Sequence, residues 1–105
     1  GYIGSHISEV LIKDKKKIFI VDNLSTGYKK LVHKKAKFYK ININNIKKIK
    51  SLIVQNKIDS VIHLAASLII GEGEKYPKKY FKNNVINTKH LISACKNTTV
   101  KNFIF

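Results

Sequence analysis

Gly1 and Gly4 stand three residues apart and open directly into a run whose apolar residues recur at helical spacing. Glycine lets a backbone approach a pyrophosphate closely. A helix N-terminus adds free N–H groups and the positive end of the helix dipole. Taken alone, two such glycines fit any helix start equally well. Asp22 adds a second mark. It closes the next apolar run, about 20 residues after the glycines, where an acidic residue takes the ribose hydroxyls of a bound dinucleotide. The plain alternative for Asp22 is a turn or cap residue ahead of Asn23.

The other residues with chemical potential read more plainly. His6 and His63 are each isolated, without a partner at metal-ligand spacing. His63 falls in an apolar strand and reads as a satisfied core histidine. Cys95 lies on the apolar face of a helical pattern and reads as packing. Glu72 and Glu74 resemble paired carboxylates, but Gly71 and Gly73 between them favour a solvated loop. Lys75, Lys78, Lys79 and Lys82 form a basic face read as surface. No metal site and no catalytic residue is expected within the chain.

These residues need elements to position them. Ile18-Phe19-Ile20-Val21, Ser60-Val61-Ile62-His63-Leu64 and Asn102-Phe103-Ile104-Phe105 are short runs suited to strands covered on both faces, as in a parallel sheet. Lys37 to Ile41 is a weaker, alternating strand. Ile3, Ile7, Val10 and Leu11 predict a helix over 4–13. Ile46, Ile49 and Ile53 predict another, with Asn44 or Asn45 as its cap. Phe81, Val85, Leu91, Ile92 and Cys95 predict a longer helix after Pro77, which suits a first-turn position. Helices alternating with strands argue for an α/β fold with a parallel sheet.

Composition sets the outer bounds. The 105 residues suffice for one small domain, and 44% hydrophobic content is ordinary for a globular one. No apolar run reaches the roughly 18–20 residues that cross a bilayer, and the opening has no basic segment followed by a long apolar one, so neither a membrane span nor a secretory signal is expected. A single cysteine excludes an internal disulfide and fits a reducing, cytoplasmic compartment. The net charge is +15, from 21 basic residues against 6 acidic ones. That balance raises nucleic acid or an anionic surface as a partner. Every basic residue is lysine, however, and they are spread through all segments. Without the planar arginine fork that reads bases and clamps phosphates, no specific nucleic-acid partner is expected.

The blocks GYIGSH, IVDNLSTG, DSVIHLAA, YPKKYFKNNVINT and VKNFIF, in this order over essentially the whole chain, resemble the UDP-glucose 4-epimerase family. That family lies within the extended short-chain dehydrogenases/reductases. The resemblance implies a partial Rossmann-like, doubly wound parallel sheet that holds NAD. Gly1 and Gly4 would match the second and third glycines of the family's G-x-x-G-x-x-G, with the backbone of Tyr2 and Ile3 on the pyrophosphate. Asp22 would hold the adenosine ribose, and Asn23, Leu24, Ser25, Thr26 and Gly27 would wrap the adenosine end. Asn42 and Ile43 would lie beside the adenine. The asparagine there keeps an acceptor oxygen where the family carries an Asp, but loses its charge. Leu64, Ala65 and Ala66 would lie under the cofactor, followed by Ser67. Leu68 stands where the family often has a lysine. Asn83 would bond near the nicotinamide.

The resemblance also implies what residues 1–105 do not carry. The family's tyrosine and lysine, spaced Y-x-x-x-K, transfer the proton of the sugar 4-hydroxyl. The residues four after Tyr2, Tyr28, Tyr39, Tyr76 and Tyr80 are His6, Val32, Ile43, Tyr80 and Asn84, none of them lysine. The expected organisation is a partial NAD-binding Rossmann domain over 1–105, with the substrate domain absent and no epimerase activity in this piece alone. The first, central strand of the sheet would also be absent. The strands at 18–22 and 37–41 would then not connect to those at 60–64 and 102–105, and the piece would be marginally stable. A UDP-sugar is the implied substrate of the complete enzyme, and a homodimer the implied assembly. Two readings stay beside this one: the front of another nucleotide-sugar dehydratase or epimerase, and a non-enzymatic basic binding module.

Overall fold

The computed structural model of the chain describes residues 1–67 and 69–105, so the expectation attached to Leu68 lies outside the described residues. The chain divides into two compact units, Gly1–Asn42 and Ile43–Phe105.

The first unit runs α1 (Tyr2–Lys13), β1 (Phe19–Asp22), a 3-10 turn (Lys29–Leu31) and β2 (Lys37–Lys40). β1 and β2 are parallel, with Phe19 opposite Lys37 and Asp22 opposite Lys40. Helix α1 begins two residues earlier than the apolar spacing predicts, because Gly1 itself is the cap residue. Of its apolar stripe, Ile7 and Leu11 are half-buried, whereas Ile3 and Val10 stay exposed. The chain leaves α1 through Lys15 in the left-handed region (φ 59°), with the Lys16 N–H returning to the Leu11 carbonyl. Such a turn reverses direction in few residues and delivers the chain into β1.

The second unit contains α2 (Ile46–Asn56), β3 (Ser60–Ile62), α3 (Ile70–Lys75), α4 (Pro77–Phe81), a π-turn (Lys82–Ile86), α5 (Asn87–Cys95) and β4 (Asn102–Ile104). Asn45 caps α2, its Oδ1 accepting the Lys48 N–H at 3.2 Å. Pro77 sits at the first position of α4, where its missing N–H has no helical acceptor to lose. β3 and β4 are parallel, Val61 facing Phe103, and the ladder extends one bond further through His63 N–H to the Ile104 carbonyl at 2.8 Å. Ile49, Leu52 and Ile53 of α2 and Leu91 and Ala94 of α5 are the buried hydrophobic residues among those described. They pair the two helices into this unit's core.

The result is an α/β chain of short parallel strands, a partial Rossmann-like fold. The strands form two separate pairs, β1-β2 and β3-β4, the division expected from the sequence. One expectation needs correction. The segment around Glu72 is helical (α3), not a loop, because Glu72 is drawn onto Lys79 and Tyr80 of α4. The longer helix expected after Pro77 is present as one continuous helical run, α4, a π-turn and α5, joined through residues in the right-handed helical region. No helix among the described residues is long and apolar enough to cross a membrane.

Candidate functional site

In the first unit the loop after β1 is wound around the carboxylate that ends the strand. Asp22 Oδ1 accepts the Leu24 N–H at 2.7 Å, and Asn23 Oδ1 accepts the Ser25 N–H at 2.9 Å. Two successive side chains thus bond the backbone two residues on, which tightens the turn. Leu24 adopts a left-handed φ of 62° as a consequence. For a non-glycine residue that conformation costs about 1–3 kcal/mol and is held only where the surroundings demand it. Gly27 closes the turn against the same carboxylate. A β-carbon at this position would stand 2.8 Å from Asp22 Oδ2, so only glycine fits without displacing it.

Asp22 also faces the helix start. Its Oδ2 lies 3.6 Å from the Gly1 nitrogen. No side chain caps α1 and no acidic residue occupies its first turn. The first N–H groups of any α-helix have no intrahelical acceptor. Those of Tyr2, Ile3 and Gly4 therefore sit at a positively polarised helix end, with the Asp22 carboxylate beside it. In this unit the structure sets the Gly1 nitrogen, the Leu24 N–H and Gly27 around the Asp22 carboxylate. Asn42, at the end of the unit, is exposed.

In the second unit Ile43 is half-buried, ahead of α2. Leu64, Ala65 and Ala66 follow β3 as exposed backbone; the strand ends at Ile62, shorter than the 60–64 run implied. His63 is half-buried and satisfied, as expected, its Nε2 lying 2.8 Å from Thr88 Oγ1. Burial pushes its imidazole pKa below the usual value. Asn83 donates to Ser67 Oγ at 3.0 Å and to Asn84 Oδ1 at 3.2 Å. Its neighbour Asn84, which sequence reasoning missed, holds the backbone of Ser67 through both amide arms: Oδ1 accepts the Ser67 N–H at 2.8 Å and Nδ2 donates to the Ser67 carbonyl at 2.9 Å. The only hint in the sequence is a second asparagine beside the first. Both sit in the π-turn, an element that recurs at functional sites.

The remaining candidates are structural. The hydrogen bond from Lys79, then that from Tyr80, hold the Glu72 carboxyl below its usual pKa. Cys95 is half-buried, and burial raises its thiol pKa, so it is poorly poised as a nucleophile. Among the described residues no three His, Cys, Asp or Glu gather into a metal-binding group.

The model of the NAD dependent epimerase/dehydratase family matches residues 1–105, the whole chain. The chain belongs to that family. Within it, the chain is 38% identical over 105 residues to a UDP-glucose 4-epimerase of Lactobacillus helveticus, covering 100% of this chain and 32% of that protein. A solved UDP-glucose 4-epimerase of Thermotoga maritima, with UDP-glucose, superposes with a TM-score of 0.95 at 30% identity over 100% of this chain and 34% of its own. The Brucella ovis UDP-glucose 4-epimerase in complex with NAD gives a TM-score of 0.92 at 35% identity, over 98% of this chain and 31% of its own. The chain therefore spans about one third of the length of these family members.

Proposed function

We propose that this chain holds NAD, and that the whole protein is an epimerase that exchanges UDP-glucose and UDP-galactose by oxidation and reduction at the sugar C4. The observation that carries the reading is the arrangement of the first unit. No side chain caps the start of α1, a carboxylate lies 3.6 Å from the Gly1 nitrogen, and the absence of a side chain at Gly27 leaves that carboxylate its place. A dinucleotide needs these two features side by side: N–H groups for a doubly charged pyrophosphate and an acceptor for a ribose diol. When bound, NAD supplies the hydride acceptor and donor for the exchange at C4.

The chain's own residues bind and orient. Backbone N–H groups at Tyr2 and Ile3 meet the pyrophosphate across Gly1 and Gly4. Asp22 accepts from the adenosine ribose through the oxygen not committed to Leu24, and Asn23 to Gly27 enclose that end. Asn42 and Ile43 flank the adenine. In the second unit the exposed backbone of Leu64, Ala65 and Ala66 lies under the cofactor, with Asn83 near its nicotinamide side. Proton transfer at the sugar hydroxyl belongs to parts of the protein outside residues 1–105. We extend the reading to a cytoplasmic, homodimeric enzyme on the same family grounds.

Asp22→Ala tests it. Hydrogen bonds to a charged group contribute about 1.5–3 kcal/mol each, and about 1.4 kcal/mol is a factor of ten in affinity. The NAD dissociation constant of the full chain, measured by titration calorimetry, is expected to rise roughly tenfold to hundredfold. An unchanged constant removes Asp22 from the site.

A further inference from the structure

The three exposed residues that leave β3 are strung between two anchors on one helical rod. At one end His63 Nε2 meets Thr88 Oγ1 of α5 at 2.8 Å. At the other, both amide arms of Asn84, in the π-turn, hold Ser67: its N–H at 2.8 Å and its carbonyl at 2.9 Å. Leu64, Ala65 and Ala66 lie between and are exposed. A carboxamide is the one side-chain group that presents a donor and an acceptor side by side, as a peptide group does. Asn84 therefore stands in for a neighbouring strand beside Ser67, at a place where the regular ladder has already ended at His63. Asn83 supports it from the same turn, donating to Ser67 Oγ and to the Asn84 carbonyl. Ser67 and Asn84 are half-buried.

We propose that Asn84 is a positioning residue: by clamping the Ser67 peptide it fixes the 64–66 backbone in the shape that receives the nicotinamide half of NAD. The inference rests on the reading that this loop lies under the cofactor. It adds a residue that touches the loop and has no assigned contact with the ligand. Asparagine is required because both arms are in use. An aspartate in its place would offer two acceptors and no donor to the Ser67 carbonyl, and an alanine would offer neither.

The experiment compares the full chain with Asn84→Ala and Asn84→Asp. Amide exchange at Ser67 reports the clamp, and dissociation constants for NAD and for ADP report the two halves of the ligand. Asn84→Ala, which removes the acceptor of the Ser67 N–H, is expected to speed Ser67 exchange about tenfold, and both variants are expected to weaken NAD about fivefold to twentyfold, as loss of one or two hydrogen bonds implies. ADP, which lacks the nicotinamide half, should stay within about twofold of wild type, and that result also shows that the variants fold. Equal losses for NAD and ADP would overturn the proposal, since a general loss of stability does not discriminate between them. Unchanged Ser67 exchange in Asn84→Ala, or unchanged NAD affinity in both variants, would overturn it as well. Failure of the wild-type chain to bind NAD would instead overturn the cofactor reading on which the proposal rests, a result visible before any variant is compared.

Discussion

Gly27→Ala adds one methyl group to a surface turn, yet the geometry predicts a loss in ligand affinity out of proportion to it. The new carbon would lie 2.8 Å from Asp22 Oδ2, 3.3 Å from Cγ and 3.4 Å from Oδ1. Real β-carbons do not approach that closely, so the carboxylate must turn or the backbone must move. Gly27 has no positive φ, so alanine is not excluded by its backbone conformation, and the conflict lies with Asp22 alone. Asp22 is a short side chain engaged at both oxygens, by the Leu24 N–H at 2.7 Å and toward the Gly1 nitrogen at 3.6 Å. Turning it gives up the Leu24 bond, a charge-assisted contact worth about 1.5–3 kcal/mol. The same rotation removes the oxygen proposed to meet the ribose. The NAD dissociation constant is thus expected to rise at least about tenfold. Amide exchange at Leu24 should quicken in parallel. Calorimetric titration gives the first quantity and exchange-resolved NMR the second. Wild-type affinity together with a still-protected Leu24 amide would show that the turn absorbs the methyl elsewhere, and would refute the reasoning from Asp22.

Two further predictions concern the second unit. Burial holds the His63 pKa below its ordinary value of 6.5, so the folded chain favours the neutral ring. Its contribution to stability is then complete above about pH 6.5 and shrinks as the pH falls through that value toward the depressed folded pKa, where the unfolded chain binds the proton first. Urea midpoints at about pH 7.5 and about pH 5.5, above and below the ordinary value, should show a larger drop for wild type than for His63→Gln; equal drops would contradict the assignment. Ile53 is 3% exposed at the centre of the α2-α5 core. Its replacement by alanine should cost about 2–5 kcal/mol, read from denaturant unfolding, and should quicken amide exchange in α2 and α5. A loss under about 1 kcal/mol would show that the core closes over the space.

Much of the scaffold is legible from local chemistry. Asn45 suits the cap of a helix that starts after it, Pro77 suits a helix start, and the continuous apolar runs at 18–21 and 102–105 suit strands, although the coverage expected on both faces is not found at Ile104 and Phe105, which are exposed. The parallel pairing of β3 with β4 follows from the helices between them, whereas β1 and β2 pair in parallel across a loop with only a 3-10 turn. The Asp22 turn is legible for the same reason: a carboxylate, a neighbouring asparagine that also bonds the backbone ahead of it, and a glycine, all within six positions. What escapes is tertiary. Gly71 and Gly73 argue against a helix at Glu72 on propensity. The bonds to Lys79 and Tyr80 override that, and a β-carbon at Gly73 would meet the Tyr80 ring at 3.3 Å. Ile3 and Val10 carry the right spacing for burial but find no covering surface within their unit. The role of Asn84 is not legible from the asparagine pair alone, because its partner, Ser67, is seventeen residues away and offers it only backbone. Asn83, by contrast, is marked by its motif, and its amide is engaged with Ser67 and Asn84.

The central claim is that residues 1–4 and 22–27 receive a dinucleotide. The most direct test is an NMR titration of the isotopically labelled full chain with NAD. The account predicts saturable shifts at the amides of Tyr2, Ile3 and Gly4 and of Asn23 to Gly27, accompanied by shifts at Leu64 to Ala66, with the first two groups lost in Asp22→Ala. Saturable binding that leaves Tyr2 to Gly4 and the Asp22 turn unshifted would contradict it, as would the absence of any shift at millimolar NAD.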